Sequence, residues 1–72
     1  MKIRDYMIVK TGSGTITVKK DHNTYKSTYS VSFFGVSASR MTCPNRTAAK
    51  AEFIRLMRLY SDLSLTQILK LK

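Results

Sequence analysis

Residues 15–34, TITVKKDHNTYKSTYSVSFF, decide the fold. Thr15-Ile16-Thr17-Val18-Lys19 alternates with period two, setting Ile16 and Val18 on one face of a short strand and Thr15, Thr17 and Lys19 on the other. Asp21-His22-Asn23-Thr24 then supplies turn formers. Beyond it Tyr25, Ser27, Tyr29, Val31 and Phe33 alternate against Lys26, Thr28, Ser30, Ser32 and Phe34. The two runs therefore read as an antiparallel hairpin with one buried and one solvated face.

Working outward, Gly35 marks a turn or bulge, and Val36-Ser37-Ala38-Ser39-Arg40-Met41-Thr42 offers a third, weaker strand. Ile3 to Lys10 can supply a further strand, joined to the next by Gly12-Ser13-Gly14. That glycine pair lacks the Gly-x-x-x-x-Gly-Lys pattern of a phosphate loop, and no helix follows it, so it reads as a flexible hairpin connection.

The period of the pattern changes at Pro44. Asn45 or Thr47 can N-cap a helix, and from Thr47 to Tyr60 the apolar positions Ala49, Phe53, Leu56 and Tyr60 recur at helical spacing with Met57 beside them. That stripe should pack on the Tyr25, Tyr29, Val31 and Phe33 face of the sheet, leaving Lys50, Arg55 and Arg58 toward solvent. Ser64-Leu65-Thr66-Gln67 has the form of a capping box, with Leu63 and Ile68 placed as a hydrophobic staple, and Leu65, Ile68 and Leu69 should dock a last short helix. The expected fold is a single α+β domain over residues 1–72. A small antiparallel sheet, three-stranded or four-stranded, packs against one C-terminal helix, with a short terminal helix after it.

Charge is the most lopsided property of the chain: thirteen Lys and Arg stand against four Asp and Glu, a formal +9 on 72 residues. Between Lys26 and Arg58 the one acid is Glu52. Self-repulsion of that size opposes compaction unless an anionic partner relieves it, and a sequence pI near 10.1 is the electrostatic footprint of a nucleic-acid binder. With 43% hydrophobic residues, including four Tyr and three Phe, the chain is no disordered basic tail.

Several function classes find little support. A 72-residue domain buries only about 60% of its unfolded-chain surface, which leaves little room for an enzyme-style pocket. His22 sits among turn formers, Cys43 reads as small apolar filler, and the acids Asp5, Asp21, Glu52 and Asp62 are scattered. One Cys and one His cannot close a zinc site. Neither an enzyme nor a cofactor is expected. A lone cysteine allows no internal disulfide, the first twenty residues hold no uninterrupted apolar h-region, and no stretch approaches ~18 apolar residues, so the expectation is a cytosolic protein that does not span a membrane.

Two surfaces are candidates for the anion. On the sheet, Thr15, Thr17, Lys19, Lys26, Thr28, Ser30 and Ser32 share the polar face, with Lys20 and Arg40 beside them; a β-ribbon carrying such donors fits the major groove of B-DNA. On the helix, Arg46 and Lys50 lie one turn apart at an N-terminus that already favours phosphate, and Arg55 and Arg58 extend the positive surface. Tyr25, Tyr29 and Phe33 could stack bases, but they share their face with Val31 and a core needs that face more.

The run Tyr29-Ser30-Val31-Ser32-Phe33, the turn at Gly35, Arg40-Met41-Thr42 and the helix opening Thr47-Ala48-Ala49-Lys50-Ala51-Glu52-Phe53 carry a family resemblance over roughly residues 15–60. This part of the chain resembles the plant ethylene-response-factor type DNA-binding domain and the arm-binding N-terminal domains of tyrosine recombinases. The resemblance implies a sheet that enters the major groove, with Lys19, Lys26, Thr28, Ser30 and Arg40 at the DNA. Arg46, Ala49 and Lys50 also resemble the phosphate-contacting last helix of the double-stranded-RNA-binding domain. The expected function is binding of duplex DNA, as a small accessory or regulatory protein of a phage or mobile element. Alternatives are an inhibitor or interaction module docking on an acidic protein surface, and an RNA-binding protein.

Overall fold

The computed structural model describes residues 2–21 and 28–70. Four strands come first, β1 (Tyr6–Lys10), β2 (Gly14–Lys20), β3 (Tyr29–Gly35) and β4 (Ala38–Cys43), followed by helices α1 (Arg46–Tyr60) and α2 (Leu65–Leu69). The strands form one antiparallel sheet in the order β1-β2-β3-β4. The α+β expectation holds in its four-stranded form. His22 to Ser27, and with them the expectations for His22, Tyr25 and Lys26, lie outside the described residues.

The alternation read in the sequence sets the register. Ile16 pairs with Phe33 and Val18 with Val31, while Thr17 pairs with Ser32 and Lys19 with Ser30. Residues opposite each other across an antiparallel pair share a face, so one apolar and one polar surface result. β2 and β3 are held together beyond their ends by a bond from the Asp21 amide to the Thr28 carbonyl at 2.8 Å.

Glycine is required where the hairpins come closest. Gly14 pairs with Gly35. A Cβ on Gly35 would fall 2.1 Å from the Ser13 carbonyl oxygen and 2.5 Å from the Gly14 Cα, both backbone atoms that cannot swing aside. The connection before Gly14 is ordered by Thr11, whose Oγ1 accepts from the Ser13 and Gly14 amides at 3.2 and 3.1 Å and donates to the Gly14 carbonyl at 3.0 Å.

Helix α1 begins where the sequence offers an acceptor: the Asn45 side chain accepts from the Ala48 amide at 2.8 Å. Its Ala49, Phe53, Leu56 and Met57 are buried against Ile16, Val18, Tyr29, Val31, Phe33 and Cys43 of the sheet. Burial of each large apolar side chain contributes about 1.5–3 kcal/mol. Tyr60 closes the stripe by stacking on Phe33, with ring centroids 3.8 Å apart and planes 7° from parallel. Its hydroxyl lies 2.9 Å from the Ser37 Oγ.

Three details depart from the expectation. β1 starts at Tyr6 rather than Ile3, and Ile3 is instead a buried core residue ahead of the strand. β4 starts at Ala38, leaving Val36 75% exposed in the turn. Ser64 and Gln67 form the expected capping box, and Ile68 is fully buried with Leu63 packed at the core margin. Leu65 and Leu69, however, remain 42% and 40% exposed. A five-residue helix presents little more than one turn, and Ile68 alone occupies its contact with the core. Among the described residues, no helix is long and apolar enough to cross a membrane.

Candidate nucleic-acid interface

With α1 packed on the apolar face, no element among the described residues covers the other face of the sheet. Strand pairing arranges it in three cross-strand rows: Tyr6, Lys19, Ser30 and Thr42; Ile8, Thr17, Ser32 and Arg40; and Lys10, Thr15, Phe34 and Ala38. Three cations and five hydroxyl-bearing Ser or Thr residues stand in these rows with no acid among them. The face also carries exposed apolar side chains, with Tyr6 59%, Ile8 50% and Phe34 77% accessible.

Two of the acids stand at the margin of the rows: Asp5, which precedes Tyr6 and whose carboxylate is turned to Arg46, and Asp21. Asp21 accepts from the Ser30 hydroxyl at 3.2 and 3.1 Å and from the Thr28 hydroxyl at 3.3 Å. Arg40 reaches the same Ser30 oxygen at 3.4 Å. Ser30, expected as an accessible donor, is therefore buried and committed to an internal partner. Thr28 is committed in the same way. Lys19 and Arg40 remain exposed on the open face, whereas Lys20 pairs with Tyr29 and has the parity of the core face at the sheet margin.

The helix residues stand elsewhere. Arg46, the first residue of α1, donates from Nε to the Tyr29 hydroxyl at 3.1 Å and from Nη2 to Asp5 at 3.2 Å. Its guanidinium carbon sits 5.9 Å from the Tyr29 ring centroid. These partners, the Tyr29 hydrogen bond foremost, raise the Arg46 pKa. The cation keeps its charge but is partly neutralised, as an exposed ion pair of small energetic value. Lys50 lies one turn on, and together with Lys2, Ile3, Arg46 and Thr47 it lines a hollow of about 310 Å³.

Arg55 is paired with Glu52, a carboxylate that is buried near the core, and the hydrogen bond to Glu52 raises the Arg55 pKa. Arg58 is exposed in the last turn of α1. Because α1 covers the inner face of the sheet, its outward side and the open sheet face point in opposite directions across a molecule only 15 Å along its shortest axis. Lys19 and Arg40 thus belong to one surface, and Arg55 and Arg58 to another.

Sequence reasoning missed Tyr6, Ile8 and Lys10. The run Tyr6-Met7-Ile8-Val9-Lys10 is apolar at both parities, so alternation cannot say which set faces out; only pairing with β2 does. The parity of Phe34 puts it on the polar face, where it is exposed opposite Thr15.

Cys43 is buried and unpaired. Burial, and after it the negative charge of Glu52, pushes its thiol pKa up. Among the described residues, no three His, Cys, Asp or Glu side chains gather to hold a metal ion. Comparison with protein-family models, curated proteins and solved structures finds no match to this chain.

Proposed function

We propose that the protein binds nucleic acid, with DNA as the partner, across the open face of the sheet, in the role of a small accessory or regulatory protein. The observation that supports this reading most directly is the set of three rows: Lys10, Lys19 and Arg40 lie among short hydroxyl side chains with no acid between them, on a chain of net charge +9. Such a face exchanges counterions on phosphates for its own cations, which supplies affinity without reading sequence. The cationic hollow at Lys2, Arg46 and Lys50 extends the positive field past the sheet margin.

The sheet-in-groove mode implied by the family resemblance meets a dimensional limit. Four strands at about 4.8 Å spacing put the axes of β1 and β4 about 14 Å apart. The major groove is about 12 Å wide, so the whole face cannot enter it flat. A duplex would meet part of the sheet only.

The test is fluorescence anisotropy of labelled DNA with the full chain at low and at physiological salt. Arg40→Ala should weaken binding, and Arg58→Ala, on the far side of the molecule, should leave it unchanged. Absence of binding at low salt to any nucleic acid refutes the proposal, and a larger effect of Arg58→Ala moves the interface to the helix.

A further inference from the structure

We infer that the open face takes an unpaired DNA strand, with Tyr6 and Phe34 as the side chains on which bases stack. The inference rests on the nucleic-acid reading above and names the form of the ligand.

The rings are the first reason. Phe34 is 77% and Tyr6 59% exposed, on a face whose other members are mostly polar. The core does not use them, since the opposite parity of the same strands supplies Met7, Val18, Val31 and Phe33 to the inside. Aromatic rings exposed on an open sheet beside cations are the recurring platform for single strands, because every base offers a π-face.

Placement of charge is the second. Tyr6 is directly opposite Lys19 across β1 and β2, and Phe34 is diagonal to Arg40 across β3 and β4. Cross-strand neighbours of these kinds have Cβ atoms about 5 Å and 7–8 Å apart, so each ring has a long cationic side chain within reach. A stacked base would carry its phosphate toward that cation. Tyr6 and Phe34 are separated by two strand steps and four residues, about 17 Å, with Ile8, Thr17 and Ser32 between them. A strand of several nucleotides spans that path, comparable to the roughly 4–16 nucleotides that one OB-fold takes.

Charge and shape also argue against other occupants. A second copy of the chain would bring Lys10, Lys19 and Arg40 against the same three cations. A duplex keeps its bases stacked on one another, out of reach of the rings, and its groove is narrower than the sheet.

The experiment uses the full chain and labelled oligonucleotides of about 12 residues. Four are compared: a mixed-sequence DNA strand, its duplex, an abasic deoxyribose-phosphate strand of equal length, and the RNA strand of the same sequence. The DNA strand should bind more tightly than the duplex and the abasic strand. Tyr6→Ala and Phe34→Ala should each weaken it about 5- to 150-fold while leaving abasic binding unchanged. Both residues are exposed, so circular dichroism and thermal melting of the variants should match the parent. Phe34→Trp should restore binding, and since the chain has no Trp, its fluorescence should be quenched by the DNA strand and not by the abasic one.

Equal binding of abasic and normal strands, or tighter binding of the duplex, overturns the stacking inference while leaving the charge-based reading intact. A preference for the RNA strand overturns the choice of DNA. Competition by a polyglutamate peptide of equal charge, as effective as the DNA strand, overturns both.

Discussion

Replacing Lys10, Lys19 and Arg40 together by Ala removes every cation from the three rows of the open face. The fold should survive, because all three are exposed and exposed substitutions usually change stability by no more than about 0.5 kcal/mol each. Arg40 gives up only a long bond to the Ser30 oxygen, and Ser30 keeps Asp21 as its partner. The effect on binding follows from counterion release. Each phosphate neutralised on a single strand contributes about −0.7 to the slope of log K against log salt, so three cations contribute about −2.1. Between 50 and 200 mM salt, a fourfold change, that share corresponds to about an 18-fold loss of affinity. The triple variant should therefore lose affinity at low salt and show a slope flatter by about two, any residual slope coming from Lys2, Arg46 and Lys50. Anisotropy titrations at four or five salt concentrations measure both quantities. A slope that the triple substitution leaves within about 0.5 of the parent would refute the assignment of the phosphate path to this face.

Gly35→Ala should lower stability by about 2–3 kcal/mol in chemical denaturation, because its Cβ would meet backbone atoms of Ser13 and Gly14, while Gly12→Ala, with nothing near its Cβ, should be close to neutral. Asn45→Ala should cost about 1 kcal/mol by the same measurement, since it deletes the acceptor for the Ala48 amide. Cys43 should label with a thiol reagent only as fast as the chain opens. Its raised native pKa also has a sign: the unfolded thiol loses its proton near pH ~8.5 while the native one does not. Stability should therefore fall as pH rises from that point toward the native pKa, and Cys43→Ala should flatten this part of the profile.

The parts of this fold that can be read from sequence are those where one face is apolar and the other is not. Residues 15–19 and 29–33 alternate cleanly, and the buried and open faces read from that alternation are those observed; the α1 stripe and the Asn45 cap were legible for the same reason. β1 was harder because Tyr6, Met7, Ile8 and Val9 give both faces apolar side chains. What the sequence could not show were contacts between distant positions. Asp5 is 41 residues from Arg46, yet it takes part of that cation's charge. Asp21 read as a turn former, but its carboxylate reaches back to Thr28 and Ser30 and withdraws two expected donors from the surface. The site therefore differs from the expected one chiefly where acids choose partners, and in the three side chains that β1 adds.

The strand order has a kinetic consequence. Each strand pairs only with its neighbour in the chain, so no pairing requires a long loop to close before hydrogen bonds form. Topologies rich in such local pairings fold fast, and the hairpins here can form one after another without a search among distant segments. The longest-range contacts between elements are those of α1 with β2 and β3, which bring Phe53 and Tyr60 over the sheet and bury its inner face. That packing alone keeps Val31 and Phe33 from the exposure that Phe34 has on the opposite face.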